Sequence, residues 1–297
     1  MLEGLDCSYY QGQISWAKVA KAGKRFAIIR SGDGKFLDPK FGPYIRGALD
    51  NGLHVTIYHY LRFGLDPESH ADLCARRLQE AQELGARDFL WLDWEDTSAH
   101  CKAMTVLQRQ WWASEFLDSL EKNNDVSTYG HYTGMWWFNP YLGHPDIILP
   151  YLARQFFSHP LWIGQYPSMG GCLSDPTAKG LKPTLPKDWT DWQVWQYTSS
   201  GRVDGIEGNI DLDIAREGFL DLKEEDMDEN QVRQIVRDET AKQTNWIRGF
   251  ILTMRDLLGP LAEWPLSDEE KEDAARQQRE TAKWDDIDNA QMKWRGY

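Results

Sequence analysis

Eight short β-rich runs recur through the first 212 residues, at 4–6, 26–30, 55–60, 89–94, 128–132, 161–165, 193–197 and 209–212. The segments between the early runs have helical character. Residues 39–51 end in Asn51-Gly52, a helix C-terminal signal. Residues 69–84 end at Gly85, and residues 105–122 carry Leu107, Trp111, Leu117 and Leu120 at helical spacing. Alternating strands and helices imply a parallel sheet with right-handed crossovers. Eight strands suggest that the sheet closes into a barrel. Residues 166–191 are rich in Pro, Gly, Asp and Lys and read as loop. The last three strands therefore lack full helices, and the expected α/β barrel is irregular.

In a barrel of this kind, chemistry collects at the C-terminal ends of the strands. The residues expected there are Asp6, Arg30, Tyr58, Asp93 with Glu95, Tyr132, Tyr166, Gln196 and Asp211. Residues 89–96 read Phe-Leu-Trp-Leu-Asp-Trp-Glu-Asp, an apolar run opening into Asp93 and Glu95. Side chains at i and i+2 of a strand share a face, so these carboxylates would stand about 7 Å apart along the backbone. Such a pair can serve acid–base chemistry on a glycosidic bond, bind a metal, or simply end a strand. Acids from the first, fourth and eighth strands would converge on one mouth.

The net charge of −13 argues against nucleic acid and anionic surfaces as partners. No run of about 18 apolar residues exists, so no stable membrane insertion is expected. The start, Met1-Leu2-Glu3-Gly4-Leu5-Asp6, lacks a basic and apolar leader, and synthesis in a cytoplasm is the expectation. Cys7, Cys74, Cys101 and Cys172 form no CxxC pair and show no zinc-like spacing with histidine. They are expected to be reduced, with no metal and no cofactor. His59 and His131 are expected to be satisfied strand histidines. The 15 Trp exceed ordinary usage; many belong to core, and a Trp excess beside acids and amides also suits stacking on sugar rings.

Composition shifts after Leu222. Residues 223–297 carry 12 Lys+Arg and 18 Asp+Glu. Val232, Ile235, Val236, Trp246, Ile247, Phe250, Ile251, Met254, Leu257, Leu258 and Leu261 follow a helical period up to Gly259-Pro260. Ser267-Asp-Glu-Glu270 has capping-box spacing for a second helix. The expectation is a barrel over 1–222 and a small α-helical C-terminal domain over 223–297. That domain would pack on the barrel or form a homo-oligomer.

Three extended motifs carry a resemblance. The first is Gly4-Leu-Asp6-Cys-Ser8-Tyr-Tyr-Gln11-Gly12, the second Leu92-Asp93-Trp94-Glu95. The third runs from Trp192-Gln-Val-Trp195-Gln196-Tyr197 to Asn209-Ile-Asp211-Leu-Asp213. Together they resemble glycoside hydrolase family 25, the Chalaropsis-type lysozymes of bacteria, fungi and phages. The resemblance covers about residues 2–220 and implies an irregular, TIM-like (β/α)5β3 barrel. It also implies cleavage of the β-1,4 bond between N-acetylmuramic acid and N-acetylglucosamine in peptidoglycan. Carried over by motif, Glu95 is the general acid and Asp93 orients the 2-acetamido group. Asp6 and Asp211 are the outer carboxylates, with Asp213 a competitor for the place of Asp211. Tyr58, Tyr132, Trp162, Tyr166, Gln196 and Tyr197 line the groove. Arg30 is either a buried counter-ion or a substrate contact.

The chemistry agrees with this reading. A glycosidic oxygen must be protonated as it leaves, and neighbouring carboxylates would raise the pKa of Glu95 for that task. The cation at C1 is then met by the substrate's own acetamide, or by water activated at Asp6 or Asp211. The implied setting is a phage or prophage endolysin. It would wait in the host cytoplasm for holin-dependent release and then act on the wall. Two other classes compete. One is a chitinase-like glycosidase, disfavoured because Trp91 stands where another Asp is usual. The other is a non-catalytic wall-binding or virion structural protein.

Overall fold

The computed structural model describes residues 1–142, 148–167, 176–186, 189–216 and 218–219. The strands are β1 (Leu2–Cys7), β2 (Phe26–Asp33), β3 (Phe36–Leu37), β4 (His54–Tyr60), β5 (Leu90–Asp93), β6 (Tyr129–Thr133), β7 (Leu161–Gly164), β8 (Val194–Gly201) and β9 (Ile210–Ala215). The helices are α1 (Trp16–Lys21), α2 (Phe41–Asp50), α3 (Pro67–Glu83), α4 (Ala99–Ala103), α5 (Val106–Asp118), α6 (Met135–Tyr141) and α7 (Pro150–Phe157). All eight expected runs are strands. Strand β3 is an added two-residue hairpin on β2.

The sheet closes because β1 pairs with both β2 and β9. Five strand-to-strand links carry α-helix: α1, α2, α3, α4 with α5, and α6 with α7. The links from β7 to β8 and from β8 to β9 carry none among the described residues. This is the irregular five-plus-three pattern. Two features differ from expectation. The residue pattern marked no helix between β6 and β7, although the (β/α)5β3 barrel implied by the resemblance places one there, as α6 and α7 do. Strand β9 runs antiparallel to both β8 and β1 rather than completing a parallel sheet, because a link of eight residues after β8 is too short for a crossover.

Local chemistry sets the helix boundaries. Asp66 accepts a hydrogen bond from the Ser69 amide at 2.9 Å, and Pro67 occupies the first position of α3. Thr105 and Gln108 form a reciprocal capping box on α5. Strand alternation divides the core in two. Phe26, Ile28, Tyr58, Trp91, Tyr132, Trp162, Val194 and Ala215 fill the barrel, with Phe89 and Phe219 against them. The opposite faces, including Leu5, Ala27, Ile57, Leu92 and Ile214, pack under the helices. Large rings fit because small residues face them. A Cβ at Gly130 would stand 2.5 Å from the Trp91 ring.

Cys7, Cys74 and Cys101 are free and buried. Among the described residues no helix is long and apolar enough to cross a membrane. Cys172 and the expected helical domain over 223–297 lie outside the described residues.

Candidate active site

Strand β5 ends at Asp93, so Glu95 stands two residues beyond its end rather than on it. The alternation nevertheless persists. Asp93 and Glu95 turn to the mouth while the fully buried Trp94 turns outward, its Nε1 donating to His131 Nδ1 at 2.9 Å. One last backbone bond of the β5–β6 register and one side chain hold the chain here. The Trp94 amide donates to the Tyr132 carbonyl at 2.9 Å, and the Tyr60 hydroxyl donates to the Glu95 carbonyl at 2.8 Å.

Asp96 locks the next position. Its buried carboxylate accepts from Arg62 Nη1 at 3.0 Å, the Phe63 amide at 3.1 Å, the Ser98 amide at 2.9 Å and Ser98 Oγ at 3.1 Å. Its carbonyl accepts from Trp137 Nε1 at 2.8 Å. Arg62 also forks onto Asp33, at 2.6 and 2.8 Å, and lies over the Tyr60 ring. None of Asp33, Tyr60, Arg62 and Asp96 was singled out from the sequence. Their partners lie about thirty residues apart, and no local spacing reports such a network.

The remaining acids come from β1 and β9. Asp6 stands directly opposite Asp211, and Gly4 opposite Asp213. Asp211 reaches the mouth from the N-terminal end of an antiparallel strand, not from the C-terminal end of a parallel one. Reversing β9 keeps it at the same rim, so the expected convergence holds for a different topological reason. Asp213 lies one step deeper, fully buried, and accepts from Trp162 Nε1 at 2.8 Å.

Gln196 joins the groups. Its Nε2 donates to Asp6 Oδ2 at 2.7 Å, and its Oε1 accepts from the Tyr132 and Tyr166 hydroxyls, each at 2.9 Å. Two phenol donors on one side and a carboxylate on the other settle the orientation of the amide. Tyr58 packs edge-on to Trp162 in the barrel.

Other residues are placed differently. Tyr197 faces outward in the shell under the helices and does not line the groove, because Gln196 takes the inward position of β8. Trp162 is 1% exposed, so it bears on the site through Asp213 rather than by an open stacking face. Arg30 donates to Asp38 at 3.0 Å and lies over the rings of Tyr9 and Tyr10, a buried counter-ion. The adjacent pairs Trp111-Trp112 and Trp136-Trp137 divide between core and surface. Trp137 and Trp112 are core, whereas Trp136 beside the end of β6 and Trp111 are each 56% exposed. Tyr166, at the mouth, is 51% exposed.

Burial dominates the electrostatics. It pushes the Glu95 carboxyl up to about 7, the Asp211 charge adds to this, and Arg62 opposes it. Neighbouring carboxylates were expected to raise Glu95; Asp211 does so, but removal from water is the larger cause. Burial likewise lifts Asp211 to about 6 and Asp213 to about 8, and holds Asp6 and Asp93 well above the carboxylate range. Glu95 stays partly exposed, and among the described residues no side-chain or backbone donor holds its carboxyl. Asp93 Oδ1 is buried with no hydrogen-bond partner. The mouth thus offers a carboxyl that keeps its proton in about half the molecules at neutral pH, beside an acceptor that lacks a donor.

The sequence model for glycosyl hydrolases family 25 matches residues 5–206. Lysozyme M1 of Streptomyces globisporus is 24% identical over 219 residues, covering 71% of this chain and 66% of that protein. The bacterial lysozyme of Streptomyces coelicolor superimposes with a TM-score of 0.56 at 22% identity, over 72% of this chain and 92% of the other. The catalytic domain of endolysin ply40, from bacteriophage P40 of Listeria monocytogenes, gives 0.54 at 25% identity, over 74% and 96%.

Proposed function

Because the chain belongs to glycosyl hydrolase family 25, we propose that it is a peptidoglycan muramidase. It cleaves the β-1,4 bond between N-acetylmuramic acid and N-acetylglucosamine. The observation that carries this reading is the pairing of Glu95, with its carboxyl pushed up to about 7, with the orphaned acceptor of Asp93. Glu95 protonates the leaving glycosidic oxygen. Asp93 Oδ1 receives the N–H of the 2-acetamido group, which supplies the missing hydrogen bond and turns the amide oxygen toward C1. That arrangement favours attack by the substrate's own acetamide. Asp211, with Asp6 behind it, stabilises the positive charge that develops. Tyr58, Tyr132 and Gln196 form the floor, and Tyr166 offers an open ring face for a sugar.

Mass spectrometry of digested peptidoglycan tests the reaction. Fragments ending in reducing muramic acid are expected, and reducing glucosamine would refute it. Glu95→Gln should lower kcat by about 10²- to 10⁴-fold, the usual worth of a general acid. NMR of the first-formed product should show retained anomeric configuration; inversion would move the chemistry to a water held by Asp211.

The finer setting is that of a phage or prophage endolysin. The similarity to the Listeria phage endolysin domain supports it. Expression in a bacterial host should lyse cells only when a membrane-permeabilising holin is co-expressed. Lysis without one would remove this setting and leave the enzymatic reading intact.

A further inference from the structure

Tyr58 and Tyr60 face the barrel mouth, so His59 between them points the other way, toward α3. There it meets His70 and Cys74, which lie one helical turn apart. All three side chains are buried, and one donor atom from each lies within 4.8 Å of the other two. Metal–ligand bonds to imidazole and thiolate are about 2.0 to 2.3 Å, so modest rotations bring three such atoms onto one ion.

The hydrogen bonding is incomplete in a way that points to a ligand. Both ring nitrogens of His70 are buried with no hydrogen-bond partner, and the ring is enclosed by Trp112 and Phe116. Neither aromatic ring offers a lone pair. His59 is fixed on its far side, with Nε2 3.0 Å from the Gly34 carbonyl. A ligating imidazole commonly has such a carbonyl behind it, because it sets the tautomer and leaves the other nitrogen free to bind. Ser31 Oγ lies 2.8 Å from His59 Nδ1 and 2.9 Å from the Tyr58 carbonyl. With Nε2 donating to Gly34, that hydroxyl is the donor to Nδ1, and an ion binding at Nδ1 displaces it, leaving its single proton to the Tyr58 carbonyl.

We propose that His59, His70 and Cys74 form a buried site for a soft monovalent cation, Cu(I) by its chemistry. Two imidazoles and a thiolate are a donor set that soft ions prefer. A thiolate with a monovalent ion is electrically neutral, which suits a pocket walled by Trp112 and Phe116. Zn²⁺ fits less well. It is almost always four-coordinate in structural sites, whereas three donors meet here, and it would leave a net positive charge on the helix face that also carries Arg77. The spacing His70-x-x-x-Cys74 was passed over in the sequence because its third ligand, His59, lies on another element. A bound ion would pin α3 to the outer face of β4 without touching the mouth.

The test is a titration of the full, reduced chain with Cu(I) under anaerobic conditions, in competition with the chromogenic chelator bicinchoninate. One Cu(I) per chain is expected, with X-ray absorption showing one sulfur and two imidazole nitrogens. Cys74→Ala and His70→Phe should each weaken binding by at least ~10-fold, the lower end of what perturbing a metal's surroundings costs. Cys7→Ser should leave binding unchanged. Peptidoglycan hydrolysis, measured in parallel, reports that each variant is folded; if His70→Phe fails to fold, Cys74→Ala and the absorption spectrum carry the test. Equal affinity in wild type and Cys74→Ala would overturn the proposal. So would absence of stoichiometric copper, or tighter binding of Zn²⁺ in a parallel titration.

Discussion

Glu95 shows how one side chain acquires its property from several elements. Its carboxyl is lifted first by burial, then by Asp211 across the mouth, and is lowered by Arg62. A general acid must carry its proton, so kcat/KM should fall as pH rises through about 7. Asp211→Asn removes the charge that raises Glu95. The group then ionises more readily, and this basic limb should move to lower pH. A pH–rate profile of the variant's residual activity checks it, and an unmoved limb would deny that Asp211 acts on Glu95 through its charge. The same shifts set the stability. A carboxyl whose folded pKa lies above its unfolded value holds more protons when folded. Its contribution is therefore complete below the unfolded value and lost as pH rises through the folded one. With Glu95, Asp211 and Asp213 all raised, thermal stability should decline between about pH 4 and pH 8.

At the scale of elements, the segment after β5 is held by side chains as well as by the backbone bond from Trp94 to Tyr132. Tyr60, Arg62, Asp96 and Trp137 fix the backbone on either side of Glu95. Asp96→Ala would leave the Phe63 and Ser98 amides without their acceptor and unpair one arm of Arg62. A loss of about 1 to 3 kcal/mol is expected, the cost of a buried donor left unsatisfied, measured by urea denaturation. A change under about 1 kcal/mol, the worth of one ordinary hydrogen bond, would mean that the network does not hold the loop. These residues were illegible in the sequence for a physical reason. Asp93, Glu95, Asp6 and Asp211 stand inside short motifs and could be found by reading along the chain. Arg62, Asp33 and Asp96 gain their roles only when β2, β4 and β5 lie side by side. Helix α6 escaped notice because its residues, Met-Trp-Trp-Phe-Asn-Pro-Tyr, carry weak helical preference, and α7 because its eight residues are too few to show a period.

At the scale of the whole molecule, the closed sheet turns distant acids into one site. Asp6 and Asp211 are more than two hundred residues apart and face each other only because β9 pairs with β1. Residues 223–297, outside the described part, are proposed as a wall-binding or oligomerising domain. A chain ending at Leu222 tests this through peptidoglycan pull-down and solution mass. Lost binding at unchanged mass favours wall recognition, a fall from dimer to monomer favours oligomerisation, and neither change would refute both.

Periodicity and turn chemistry are local, so the order of strands and early helices, the barrel class and the four mouth carboxylates could be read from the sequence alone. Three matters were decided only by tertiary structure: the direction of β9, the outward turn of Tyr197, and the network behind Glu95. Each depends on which strand lies beside which, and on how far each group is removed from water. Neither quantity exists until the barrel has closed.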